Sequence, residues 1–328
     1  MKFKGLLIRK DSVGNISSAI EDLEFMPSEQ MDTLVKVDCS TINYKDSLAL
    51  LGKPGVIRDY PAVPGIDFSG TIVEVDSKNF NVGDSVLLNG FGMGEKYWGG
   101  LAQYVKVKSE WLIRKPENLS HRSVMAIGTA GYTSMLCIEQ IKKNVSPEKG
   151  SILVTGATGG VGCIAVILLS KLGYKVIAST GKEDKYDFLK QIGATEVISR
   201  KELENKPKLL EKQKWIGAID TVGGNTLSSV CASTFYNGVV TACGMAGSIK
   251  FESSVAPFIL RNIKLIGIDS VYRSIDDRKR AWQNLSDLLD NDILKKISEV
   301  ISLKDVVKNA NKIFNGQIHG RLVVELKE

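Results

Sequence analysis

Residues Val154–Ala165 read VTGATGGVGCIA, four glycines in twelve residues that run into an apolar stretch. On the G-x-G-x-x-G spacing the last two glycines are Gly159 and Gly162, while Ala157 holds the first position with Gly156 just before it. The match is incomplete, so the flanking sequence decides how the loop is read. Before it lies the strand-like SILVTG, and after it VGCIAVILLSKLG reads as a helix. A strand, a glycine turn and a helix in that order let the backbone approach a pyrophosphate, whose charge the helix N-terminus favours. The competing reading is a tight turn that only packs closely.

Five further strand-like runs favour the dinucleotide reading: KVIAST, EVIS, GAIDTV, VVTACG and KLIGID. Helical stretches at 161–172, 183–192, 202–213, 226–235 and 253–262 alternate with them, and 122–143 reads as a helix ahead of them. Strands joined by crossover helices predict an α/β fold with a doubly wound parallel sheet. The first 120 residues differ. FKGLLI, TLVKVDCSTI, DFSGTIVEV, DSVLL and LAQYVKVK are short strands broken by turn signals such as Gly83-Asp84 and Gly99-Gly100, which predicts an antiparallel barrel or sandwich. Beyond residue 270 the pattern is helical and ends in RLVVEL, a strand expected to rejoin the N-terminal domain.

The second strand of the alternating half speaks to which dinucleotide. A preference for NAD places Asp or Glu there to bind the ribose 2′-hydroxyl. This strand ends Ser179-Thr180-Gly181-Lys182 instead, and Arg200 follows the third strand. Hydroxyls and cations suit a 2′-phosphate, so NADPH is the expected cofactor. Glu183 and Asp184 read as first-turn acids of the next helix. A solvent-facing Lys182 is the bland alternative.

The chain has 328 residues, 43% hydrophobic and 24% charged, which is ordinary for a globular protein with a sizeable core. Its 43 basic and 37 acidic residues leave a net charge of +6, dispersed along the chain, so no nucleic-acid surface is expected. Cys39, Cys137, Cys163, Cys231 and Cys243 are odd in number and never form C-x-x-C, against a disulfide framework and a zinc knuckle. Cys137, Cys163 and Cys243 lie in apolar runs and read as inert core thiols. The apolar run in MKFKGLLIRK is short for a signal peptide and no stretch has transmembrane length, so no membrane association and a cytoplasmic location are expected. His121 reads as a helix-start polar residue and His319 as a turn residue. Neither has ligand partners at metal spacing, and no metal is expected.

Taken in order, VPGIDFSGTIVEV, VGDSVLL, GTAGYTSML, TGATGGVG, AIDTVGG and HGRLVVEL resemble the medium-chain dehydrogenase/reductase superfamily. NYKDSLAL, PGIDFSG, GFGMGEKYWGGLAQ, FILRNIKLIGIDSV and GQIHGRLVV narrow the resemblance to its zinc-free quinone-oxidoreductase branch, and there to the acrylyl-CoA reductase group, over nearly the whole chain. Where zinc enzymes of the superfamily carry G-H-E, this chain has Gly65-Ile66-Asp67, without the metal-binding histidine. The resemblance implies a GroES-like β-barrel catalytic domain at 1–122 and 269–328, and a Rossmann domain at 123–268 with the cofactor in the cleft between them. It implies NADPH contacts at Tyr44, Thr129, Gly159, Gly160, Val161, Gly162, Thr180, Gly181, Lys182, Arg200, Met245, Ile259, Ser270 and Asn315. Family members often carry Arg where this chain has Lys182, which keeps the charge and loses the bidentate fork.

The chemistry implied is reduction of a C=C bond conjugated to a carbonyl. Such a reaction needs a stabilised carbonyl oxygen and a proton for the α-carbon. Asn43 is a candidate donor to that oxygen, and its alternative is to satisfy a turn. Tyr44 either delivers the proton or forms a wall of the cofactor site. Asp46 and Asp67 fix donors, and Arg321 pairs with one of them, functionally or as a structural ion pair. Tyr97 and Trp98 either line a substrate pocket or pack over the barrel. Three functions follow: an enoyl-thioester reductase such as an acrylyl-CoA reductase, a quinone or enone reductase of broad acceptor range, or a cofactor-binding protein with little turnover. The last edge of the parallel sheet, Lys264–Ile268, is a candidate homodimer contact.

Overall fold

The computed structural model describes residues 1–25 and 31–326, and its first strands form where apolar residues cluster between turn signals. β1 (Lys2–Lys10) and β2 (Ile16–Glu24) are an antiparallel pair. β3 (Thr33–Thr41) leads into the short helix α1 (Tyr44–Leu50), and β4 (Asp67–Val75), β5 (Ser85–Asn89), β6 (Tyr104–Val107) and β7 (Ile113–Arg114) follow. β3 pairs with β4 and β6, and β5 with β4 and β7, all antiparallel. β2 and β7 lie outside the strand-like runs of the sequence. β2 is mostly half-exposed and β7 has two residues, so neither carries a strong apolar pattern.

The helix α2 (His121–Asn144) contains non-helical backbone at Gly128, with φ 49° and ψ −158°. Then come β8 (Ile152–Val154), α3 (Gly160–Lys171), β9 (Val176–Thr180), α4 (Tyr186–Gln191), β10 (Glu196–Ser199), α5 (Lys201–Glu204), β11 (Trp215–Asp220), α6 (Gly224–Ala232), β12 (Thr234–Ala242), α7 (Ala256–Arg261) and β13 (Lys264–Gly267). The six strands form a wholly parallel sheet in the order β10-β9-β8-β11-β12-β13, with the order reversing at β8. α3 is buried from Gly162 to Leu169, as befits a helix that is apolar all round. The helix expected over 202–213 is corrected to α5, which stops at Glu204; Pro207 biases the residue before it out of the helical region.

The chain returns through α8 (Ile275–Leu288), α9 (Asn291–Lys296), β14 (Ser298–Ser302), α10 (Val306–Phe314) and β15 (Arg321–Glu325). β15 runs antiparallel to β3 and parallel to β14, which completes a sheet in the order β14-β15-β3-β4-β5-β7. β14 has only Ile301 buried and so lacks a sequence signature. Val35, Phe68, Ile72, Val86, Leu88, Val105 and Val324 fill the core of this half. Two units result, Met1–Thr129 with Val271–Glu328, and Ala130–Ser270.

Candidate active site

In the second unit the chain leaves β8 and turns through Gly156 to Gly159, the N-cap of α3. The Cys163 N–H donates to the Gly159 carbonyl at 2.9 Å, which leaves the amides of Gly160, Val161 and Gly162 in the open first turn. A Cβ on Gly162 would stand 2.3 Å from the Gly156 carbonyl oxygen, so only glycine allows this approach. At the end of β9 the hydroxyls of Thr180 and Thr158 lie 3.1 Å apart, and Lys182 N–H donates to Thr180 Oγ1 at 3.1 Å. Arg200 N–H donates to the Thr180 carbonyl at 2.9 Å, and a Cβ on Gly181 would meet Arg200 Nε at 2.6 Å. Nε of Arg200 pairs with Glu204 at 2.9 Å, and its two Nη atoms have no partner among the described residues. Burial pushes the Lys182 ammonium below its ordinary range.

Thr180, Gly181, Lys182 and Arg200 thus gather with the glycine loop at the carboxyl ends of the strands, the binding edge of an open parallel sheet. Met245 follows β12 and is 62% exposed, Ile259 is exposed on α7, and Ser270 closes the unit. The loop is braced by Asp220 at the end of β11. Its carboxylate accepts from Thr155 Oγ1 and Gly223 N–H, both at 2.7 Å, and burial pushes it above the ordinary carboxylate range.

In the first unit the hub is Asp67, which is fully buried. Oδ1 accepts from Asn89 Nδ2 at 2.8 Å and from the Thr129 hydroxyl; Oδ2 accepts from Asn43 Nδ2 and Thr129 N–H, both at 2.8 Å. Gly128 makes room for this meeting. A Cβ there would lie 2.8 Å from Asp67 Oδ2 and 3.0 Å from Arg321 Nη2. Arg321 donates from Nε to the Ala126 carbonyl at 3.0 Å and from Nη2 to Thr41 Oγ1 at 2.9 Å. Asp46, equally buried, accepts from Gly65 and Ile66 N–H at 3.1 and 3.0 Å and from Asn43 N–H at 2.8 Å. Burial, helped by the charge of Asp67, pushes the Asp46 carboxyl up to about 6.

The Asn43 amide nitrogen faces both carboxylates, at 2.8 Å from Asp67 and 3.3 Å from Asp46. The Asn43 side chain is thus engaged inside the carboxylate network, where it links Asp46 to Asp67. Tyr44, the first residue of α1, is 39% exposed and stacks on Phe314 with ring centroids 6.2 Å apart; its hydroxyl has no hydrogen-bond partner among the described residues. Asn315 follows Phe314 as the C-cap of α10. Trp98 packs on Phe25 and donates to the Pro61 carbonyl, while Tyr97 lines a cavity.

Asn89, Arg278 and Trp282 escaped the sequence reading. Asn89 joins Asp67 to α8: its side-chain oxygen accepts from Trp282 Nε1 at 2.9 Å and its carbonyl from Arg278 Nη1 at 2.7 Å. A signal was present, because Arg278, Ala281, Trp282 and Leu285 recur at one helix face, which puts Arg278 on the buried side. Burial pushes the Cys231 thiol up to about 12, and a hydrogen bond with Cys137 together with burial holds Cys243 well above its ordinary value, so neither is a ready nucleophile.

Residues 160–291 match the zinc-binding dehydrogenase family and residues 29–117 the alcohol dehydrogenase GroES-like domain family. The chain is 44% identical to the probable acrylyl-CoA reductase AcuI of Escherichia coli (strain K12) over 322 residues, 98% of this chain and 99% of that protein. The chain belongs to the medium-chain dehydrogenase/reductase family. Within it, YhfP of Bacillus subtilis (strain 168), which carries the provisional name of a quinone oxidoreductase, is 44% identical over 298 residues, 89% of this chain and 90% of that protein. A crystal structure of yhfP with NAD bound has a TM-score of 0.95 at 41% identity and covers 99% of this chain and 100% of its own. The yhdH oxidoreductase from Salmonella enterica, in complex with NADP, has a TM-score of 0.96 at 42% identity, with 99% of this chain and 100% of that one covered. The two units of this medium-chain dehydrogenase/reductase are accordingly a GroES-like half and a Rossmann half. Among the described residues no three His, Cys, Asp or Glu side chains converge as a metal site. No helix among them is long and apolar enough to cross a membrane.

Proposed function

We propose that the protein is an NADPH-dependent, zinc-independent reductase of the conjugated C=C bond of an enoyl thioester such as acrylyl-CoA. The observation that carries the cofactor assignment is the cationic, hydroxyl-rich end of β9 and β10 beside the open first turn of α3. Lys182 and the two Nη atoms of Arg200 suit a 2′-phosphate, and the amides of Gly160, Val161 and Gly162 suit a pyrophosphate. The contacts expected at Tyr44, Thr129, Gly159, Thr180, Gly181, Met245, Ile259, Ser270 and Asn315 belong to the same proposal. When bound, the cofactor supplies the hydride for the β-carbon. The resulting enolate needs a proton at its α-carbon, and the Tyr44 hydroxyl is the group we assign to deliver it: it is accessible, unpartnered among the described residues and on a ring held by Phe314.

Asn43, Asp46, Asp67 and Arg321 act as positioning residues. Their network fixes the backbone entering α1, and with it Tyr44, as well as Thr129. In the same proposal residues 123–268 hold the cofactor and 1–122 with 269–328 carry the catalytic groups. The name of the Escherichia coli relative supports the thioester and that of the Bacillus relative a quinone. We further infer a cytoplasmic homodimer that pairs through β13, an edge strand whose neighbour α7 exposes Leu260. Light scattering that finds a monomer at micromolar concentration would remove the dimer.

Reduction of acrylyl-CoA with NADPH deuterated at both C4 positions tests the chemistry. The expected product is propionyl-CoA with one deuterium at the β-carbon and a solvent proton at the α-carbon. Absence of propionyl-CoA, alongside rapid reduction of 1,4-benzoquinone, would replace the thioester reading by the quinone one.

A further inference from the structure

The loop after β5 is unusual. Gly90, Phe91, Gly92 and Gly94 all have positive φ, from 54° at Phe91 to 80° at Gly92, and a non-glycine residue is rarely held there without cause. The conformation is maintained by a buried cation. Arg278, 1% exposed, lies under the Phe91 ring at 4.2 Å and donates to the carbonyls of Asn89, Val271 and Arg273 at 2.7, 2.6 and 3.2 Å. The Phe91 ring is thereby stacked on Trp111, with centroids 5.5 Å apart and planes 5° apart, and Tyr97 packs against Trp111 at 5.3 Å.

These rings line a cavity of about 340 Å³ whose other walls include Arg58, Lys96 and Tyr272, all within the first unit. Arg58 has no carboxylate partner among the described residues, and Lys96 has only the face of Tyr97, 5.3 Å from its Nζ. Tyr272 is 81% exposed at the rim. Glu95, also in the wall, is tied at 2.8 Å to Lys45, the residue after Tyr44, so the cavity adjoins the entry to α1. An aromatic wall with two unneutralised cations suits a planar heteroaromatic ring that carries phosphate: stacking holds the ring, and the cations hold the anion.

We propose that this cavity is a subsite for the phosphorylated adenosine end of a coenzyme A thioester. It rests on the thioester reading above and adds where the carrier is recognised. The proposal gives specificity for the carrier to Arg58, Lys96 and Trp111, separate from the residues assigned to the reacting acyl group. Binding energy from this remote end would favour the full carrier over a truncated one.

Two measurements test it. The ratio of kcat/KM for acrylyl-CoA to that for acrylyl-pantetheine, which lacks the nucleotide, is compared between the natural protein and Arg58→Ala/Lys96→Ala. A fall of tenfold or more in this ratio is expected, and an unchanged ratio overturns the subsite. In parallel, adenosine 3′,5′-bisphosphate is titrated into the protein saturated with NADP⁺, so that the dinucleotide site is filled. Binding that weakens at least tenfold in the double variant, and also in Trp111→Ala, is expected; no binding, or binding indifferent to all three residues, overturns the proposal. Failure of the natural protein to reduce either thioester would instead sink the enoyl-thioester reading. The bisphosphate titration still decides the subsite in that case.

Discussion

Asp67→Asn keeps the size of the side chain and changes one oxygen to an NH₂. In the native hub each carboxylate oxygen accepts two donors, from Asn89 and Thr129 on one side and from Asn43 and Thr129 on the other. Whichever way the new amide turns, its nitrogen faces two of them. Only the Thr129 hydroxyl is able to rotate away. At roughly 1.5–3 kcal/mol for each charge-assisted bond, with added cost for a buried donor left facing a donor, the loss is roughly 3–5 kcal/mol. At about 1.5 °C per kcal/mol for a chain of 328 residues, Tm falls by roughly 4–7 °C. Urea unfolding followed by tryptophan fluorescence reads this, since Trp282 is bonded to Asn89 and through it to Asp67. Because the partners are shared, Thr129→Val should cost less when combined with Asp67→Asn than in the natural protein. A loss below about 1 kcal/mol, or full additivity with Thr129→Val, would show that Asp67 does not hold this network together.

Other perturbations give equally definite outcomes. Lys182→Ala with Arg200→Ala should raise KM for NADPH by about 10–100-fold and leave NADH within a few-fold, measured by initial rates; equal losses would contradict the 2′-phosphate assignment. Tyr44→Phe should lower kcat by about 10²-fold or more with little change in cofactor affinity, and an unchanged kcat would leave Tyr44 as a wall. Gly162→Ala forces a Cβ to 2.3 Å from the Gly156 carbonyl, so the loop must shift, and dinucleotide affinity measured by calorimetry should fall at least tenfold. Asp46 has a folded-state value raised to about 6, so the protonated form is favoured by folding; the stability it contributes is complete below about pH 4 and lost as pH rises through 6. Between about pH 5 and pH 7 this amounts to about 1 kcal/mol lost. Asp46→Asn should lack that dependence in urea titrations, so its stability difference from the natural protein narrows by that much over the same range.

The parallel sheet was legible in the sequence because each strand is a short apolar run next to a helix, and the glycine loop stands at its start. The cations after β9 and β10 were legible as well, since the register that sets Ser199 against Thr180 brings Arg200 beside Gly181. The Asp67 hub was readable only in part. Its partners come from residues 43, 89 and 129, and no local pattern says that the Asn43 amide turns inward to two carboxylates. β14 and β2 were invisible because their side chains are largely exposed, whereas the residues 202–213 contained a proline whose effect outweighed the helix-forming residues around it.

The most direct test of the central claim is a side-by-side comparison of kcat/KM for acrylyl-CoA and 1,4-benzoquinone, each with NADPH and with NADH. An NADPH-dependent enoyl-thioester reductase predicts acrylyl-CoA with NADPH as the fastest pair by at least tenfold. A quinone reduced faster than the thioester, or NADH used as well as NADPH, would contradict it.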